Sequence, residues 1–169
     1  MKRSLVATLL LLSCVPVPPP KGTCGVGAGG NIDSRFRNDG LTDTIVQQML
    51  DRALEGIAYT TEPRFLYPED LCRELVGYAV YTKPPVGPFL LNGQRVMGYT
   101  ECALKTIVVA APADGNWAHS PLIHEFYHVF QKCYAPLPVD PGLSKDHANW
   151  DRTGINEAIQ MEMNKPWKP

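Results

Sequence analysis

Ser120-Pro121-Leu122-Ile123-His124-Glu125-Phe126-Tyr127-His128-Val129-Phe130-Gln131-Lys132-Cys133-Tyr134 is the segment around which the rest of the chain arranges itself. Serine followed by proline is a helix start, an N-cap side chain and then a residue whose missing N–H costs nothing in the first turn. The spacing predicts a helix from there to about Tyr134. Inside it, His124-Glu125-Phe126-Tyr127-His128 has the pattern H-E-x-x-H. Residues four apart lie one turn above each other, so the imidazoles of His124 and His128 can reach one ion. Glu125 is rotated by about 100° from His124, where its carboxylate can bond a water on that ion without occupying a ligand position. That is the placement of a general base.

At the helical repeat, Leu122, Ile123, Phe126, Val129 and Phe130 fall on one arc, and Glu125, His124, His128, Tyr127 and Gln131 on the other. The apolar arc faces a core, and the motif faces away from it, toward either a cleft or solvent. All four histidines of the chain lie between His119 and His147, a clustering that folding alone does not require.

Upstream, Ile45, Val46, Met49, Leu50, Ala53, Leu54 and Ile57 recur at spacings of three and four, which predicts an amphipathic helix started by Thr42 or Asp43 and stopped at Gly56. Leu75–Thr82 has strand composition. Pro84, Pro85 and Pro88 stop it, Asn92-Gly93 is a turn signal, and Gln94–Thr100 and Leu104–Ala111 then read as strands. The nearly unbroken apolar run in the last of these suits a strand covered on both faces. A short helix around Asn156-Glu157 closes the chain. The expected fold class is α+β, a small mixed or antiparallel sheet packed on the H-E-x-x-H helix.

This pattern, on a capped amphipathic helix after an apolar strand, resembles the zincins, the zinc metallopeptidases defined by H-E-x-x-H. The resemblance covers the motif and the chain from the preceding strand onward. It implies a zincin-like domain in which His124 and His128 bind Zn2+ and Glu125 acts as base on a peptide or protein substrate. It also implies a sheet edge that pairs with extended substrate, a role assigned to Leu104–Ala111. The metzincin continuation is absent, because Gln131 and Tyr134 stand where its glycine and third histidine belong. The third ligand is expected to be His147, in a polar loop, with Glu157 as the alternative. If not a ligand, Glu157 would orient a ligating histidine. Asp140 and Asp146 are weaker options. His119, Tyr127 and Tyr134 are candidates to stabilise a transition state or to support a ligand, the two tyrosines being equally plausible as packing aromatics; Trp117 and Trp150 either line the cleft or cover the core. The rival readings are a non-catalytic envelope protein with a structural or vestigial metal site, and a zinc amidase acting on cell-wall material.

The chain of 169 residues is 44% hydrophobic and 20% charged, with 16 basic against 17 acidic side chains, which excludes collagenous and wholly disordered classes. A net charge of −1 without a basic run gives nothing to concentrate phosphates, so no nucleic-acid partner is expected. Gly25, Gly27 and Gly30 match G-x-G-x-x-G but follow a proline run instead of a strand, so no nucleotide site is expected either.

At the N-terminus, Lys2 and Arg3 precede an apolar run from Leu5 to Leu12 that is too short to span a bilayer. It reads as a signal peptide over residues 1–13. Leu11-Leu12-Ser13-Cys14 resembles the lipobox of bacterial lipoproteins, which implies lipidation of Cys14 and membrane attachment at the cell envelope, on the outer membrane or cell surface. A Pro- and Gly-rich tether is expected over 14–30 and a folded domain over 31–169. The four remaining cysteines, Cys24, Cys72, Cys102 and Cys133, form no C-x-x-C pair, and their even number in an exported chain predicts two disulfides of open connectivity.

Overall fold

The computed structural model describes residues 24–27, 30, 32–33, 40–57, 68–83, 87–129, 133, 147 and 150–167. Cys14, Tyr134, Asp140 and Asp146 lie outside the described residues. The fold is mixed α+β. A four-stranded sheet has the order β1 (Ile32–Asp33), β2 (Tyr78–Lys83), β6 (Thr106–Ala110), β5 (Gly98–Glu101), the first three parallel and β5 antiparallel to β6. A separate hairpin pairs β3 (Phe89–Leu91) with β4 (Gln94–Val96) through Asn92-Gly93, both at positive φ as the turn requires. The helices are α1 (Asp43–Ile57), α2 (Pro68–Glu74), α3 (Leu122–His128), α4 (Trp150–Thr153) and α5 (Ile155–Met163), with a 3-10 turn at Trp117–His119.

One face of β6 puts Ile107 and Val109 into the main core with Val80, Leu122, Ile123 and Phe126; the other puts Val108 and Ala110 under Phe89 of the hairpin. The apolar run is thus covered on both faces as expected. It is also flanked on both sides, which overturns the expectation that Leu104–Ala111 forms the sheet edge. β6 lies between β2 and β5, and the edge is β5. The physical reason is that a strand apolar at every position is best satisfied in the interior of a sheet. The segment expected as one strand over Gln94–Thr100 breaks at Met97, where β4 leaves the hairpin and β5 joins the main sheet. The strand expected over Leu75–Thr82 begins later, at Tyr78, because α2, opened by Pro68 with Glu69 and Asp70 in its first turn, runs to Glu74 and a turn through Gly77 at positive φ separates it from the strand.

Thr42 starts α1, its hydroxyl accepting from the Ile45 N–H at 3.2 Å. The helix ends at Ile57, one residue past Gly56, as the spacing predicts. Gly56 lies in its last turn, and a Cβ there would meet the Tyr127 hydroxyl oxygen at 2.5 Å. The bare glycine admits that hydroxyl, which donates to the Ala53 carbonyl at 3.0 Å. Arg52 fastens α5 to α1 by donating from Nη1 to the Glu162 carbonyl (2.9 Å) and from Nη2 to the Pro166 carbonyl (2.8 Å), a cation placed on a helix C-terminus.

Two disulfides, Cys24–Cys72 and Cys102–Cys133, settle the connectivity and mark a protein that folds outside the cytoplasm. No helix among the described residues is long and apolar enough to cross a membrane. Cys24 and Val26 are packed onto α1: Cys24 is buried, its carbonyl accepts from Gln47 Nε2 at 2.9 Å, and the Val26 N–H donates to Gln47 Oε1 at 3.1 Å. The Cys24–Cys72 bridge spans 48 residues of sequence. Replacing both cysteines with serine should cost about 4 kcal/mol on the chain-entropy estimate for a loop of that length. Urea unfolding of the pair variant against the oxidised wild type measures this.

Candidate metal centre

The helix α3 is held at both ends. Ser120 Oγ accepts from the Leu122 N–H at 3.2 Å, so the serine caps the first turn with Pro121 as the boundary residue, one position from the expected start. At the other end, Cys133 is bridged to Cys102, just past β5. Leu122, Ile123, Phe126 and Val129 are fully buried as the apolar arc requires.

The opposite arc brings His124 and His128 together, their Nε2 atoms 3.0 Å apart. His147 arrives from the far side, its Nε2 2.8 Å from that of His128. These are the residues among those described whose donor atoms converge closely enough to hold a metal ion in common. His147 adopts φ +64°, a left-handed conformation that histidine tolerates better than most residues, and its carbonyl accepts the Trp150 N–H at 3.0 Å to open α4. Trp150 is completely buried and packs on all three imidazoles, with ring centroids 4.7, 5.0 and 4.5 Å from His124, His128 and His147. Both tryptophans therefore belong to the core, and Trp150 backs the histidine cluster from within it.

Glu125 is 3% exposed and points along the floor of the same cleft toward β5. A buried carboxylate needs donors. The Thr100 hydroxyl lies 2.9 Å from Glu125 Oε2 and 3.0 Å from the Glu125 carbonyl oxygen. The cleft holds about 640 Å3. Its floor is α3, one wall is the hairpin and β5 (Leu91, Val96, Met97, Gly98), and the other is α5.

The α5 residues on the cleft are Asn156, Ile159, Gln160 and Met163, at helical spacing. Glu157 is one residue round from that stripe and exposed, so it is neither beside the three imidazoles nor in place to orient them. Of the two roles open to Tyr127, packing is the one it takes. Its wheel position borders the apolar arc, and because α1 packs against that border it is buried, with its hydroxyl on Ala53 and away from the cleft. Burial, and then the charge of Glu162, push its pKa far up, so the hydroxyl stays protonated on Ala53. Of the three transition-state candidates, His119 is the one the described residues place on the cleft. Its Nδ1 lies 2.9 Å from Asp114 Oδ2, and the Asn116 N–H together with that ring holds the Asp114 carboxyl below its usual range.

Sequence reasoning missed Gly98 and Thr100. The signal available was a lone glycine inside a segment of strand composition, which marks a close approach by another group.

No protein-family model, curated protein or solved structure matches the chain.

With three imidazoles sharing one ion, His147→Ala should weaken divalent-metal binding by about a hundredfold or more, whereas Glu157→Ala should leave it unchanged. Competition with a chromophoric chelator distinguishes the two, and equal losses would refute the three-histidine set.

Proposed function

We propose that the protein is a zinc-dependent metallopeptidase of zincin type, carried at the bacterial cell envelope by a lipid on Cys14. The observation that carries this reading is the meeting of the three Nε2 atoms beside the buried carboxylate of Glu125, in a cleft bounded by a sheet edge. The donor set fits zinc. Tetrahedral Zn–N bonds of 2.0–2.1 Å place ligand nitrogens about 3.3 Å apart, and the separations of 2.8 and 3.0 Å are of that size. An all-imidazole set also suits zinc far better than magnesium or calcium, which take oxygen ligands.

His124, His128 and His147 would hold the ion, and three protein ligands leave a position open for water or substrate. Bound zinc supplies Lewis acidity, making water acidic near neutral pH and polarising a carbonyl. Glu125 takes the proton from the attacking water and returns it to the amine nitrogen that leaves when the C–N bond breaks. The backbone of β5 receives the extended substrate. Met97 bonds inward, accepting the Ala110 N–H at 2.7 Å, so by the alternation of an antiparallel ladder the N–H and C=O groups of Gly98 and Thr100 point outward from the sheet. Among the described residues no strand pairs with that side.

Glu125→Gln keeps shape and hydrogen bonding but cannot accept the proton. It should lower hydrolysis of quenched-fluorophore peptides by about a thousandfold or more while the chain retains one zinc, read by elemental analysis. Full activity in that variant refutes the assignment. In a separate experiment on the full-length precursor, Cys14→Ala should move the protein from the detergent-extracted membrane fraction to the soluble one, and unchanged membrane association refutes lipidation.

A further inference from the structure

We infer that Gly98 and Thr100 of β5 are positioning residues that aim the Glu125 carboxylate into the cleft. The inference rests on the peptidase reading for its catalytic consequence, but the placement itself is a matter of geometry. β5 presents alternate residues to opposite faces, and the face carrying Gly98 and Thr100, opposite Val109 and Ile107, is the one turned to α3. The two residues meet the two halves of one carboxylate. Thr100 Oγ1 has a single proton, and between a carbonyl and a carboxylate oxygen at nearly equal distance the charged acceptor forms the stronger bond, so Oε2 is held. Oε1 lies against Gly98, where an added Cβ would stand 2.9 Å from Oε1, 3.0 Å from Cγ of the glutamate and 3.1 Å from the Val108 carbonyl oxygen.

That last contact decides what gives way. The Val108 carbonyl belongs to a central strand and cannot retreat, so a side chain at residue 98 has to displace the glutamate. Gly98 has no positive φ that would demand glycine. Its absence of a side chain is therefore explained by the room it leaves for Glu125. The same two residues point their backbone groups outward along the sheet edge, so a peptide added to that edge is placed in fixed register with the carboxylate that would act on it.

The test uses the full mature chain with Thr100→Val, Thr100→Ser, Gly98→Ala and the wild type, with crystal structures and steady-state kinetics on quenched-fluorophore peptides. Valine keeps the shape of threonine and removes the donor; alanine at residue 98 adds one methyl. In both, the Glu125 carboxylate should move by about 1 Å or more while the His124 and His128 rings stay, and kcat should fall about 10- to 100-fold with KM within about twofold. Serine, which restores the hydroxyl, should recover most of the rate. A carboxylate unmoved in both Thr100→Val and Gly98→Ala, or a serine variant as slow as the valine, overturns the inference. If the carboxylate moves as described and the wild type cuts no peptide, the positioning stands and the peptidase reading falls.

Discussion

Everything in the cleft depends on how the seven residues of α3 are gripped. A helix this short has little stability of its own and is held by its surroundings: the sheet through Ile107 and Val109, α1 through the Tyr127 hydroxyl on Ala53, and the disulfide that follows it. With the helix fixed in rotation about its axis, one turn of its pitch stacks His124 under His128, and the neighbouring position sends Glu125 to the sheet edge. A rotation of a few tens of degrees would separate the imidazoles from His147 and withdraw the carboxylate from Thr100.

The two walls are secured differently. On one side β5 is tied into the sheet by its ladder to β6, and on the other α5 is clasped to α1 by Arg52, whose guanidinium holds the carbonyls at the end of that helix. Between them, the buried Trp150 fills the space behind the three imidazoles, so the rings rest on an aromatic surface. Hydrophobic packing here serves a polar cluster, fixing ring planes that hydrogen bonds alone would leave free to rotate.

Much of this was legible in the amino-acid order. The H-E-x-x-H spacing and the apolar arc depend only on helical pitch, and the even number of cysteines in an exported chain pointed to disulfides without saying which pairs form. The choice of His147 over Glu157 followed donor chemistry, and the described geometry brings the histidine to the pair while turning the glutamate to solvent. Reading failed where an element touches more than one neighbour. Tyr127 stayed open between cleft and packing because a single wheel allows one apolar arc, whereas α3 is buried against both a sheet and a helix. The zincin resemblance assigned the edge to Leu104–Ala111, whose apolar composition is silent about lateral neighbours. The Thr100–Glu125 contact joins residues 25 apart through strand pairing, which no local pattern encodes.

The bridge from Cys102 to Cys133 has an implication for chronology. It binds the end of β5 to the end of the helix segment, so the elements on either side of Glu125 are joined covalently only once two thiols have been oxidised. In the cytoplasm glutathione and thioredoxin keep such thiols reduced, so the fastening forms only where the surroundings are oxidising. The compartment, and not the amino-acid order alone, completes the frame around the carboxylate.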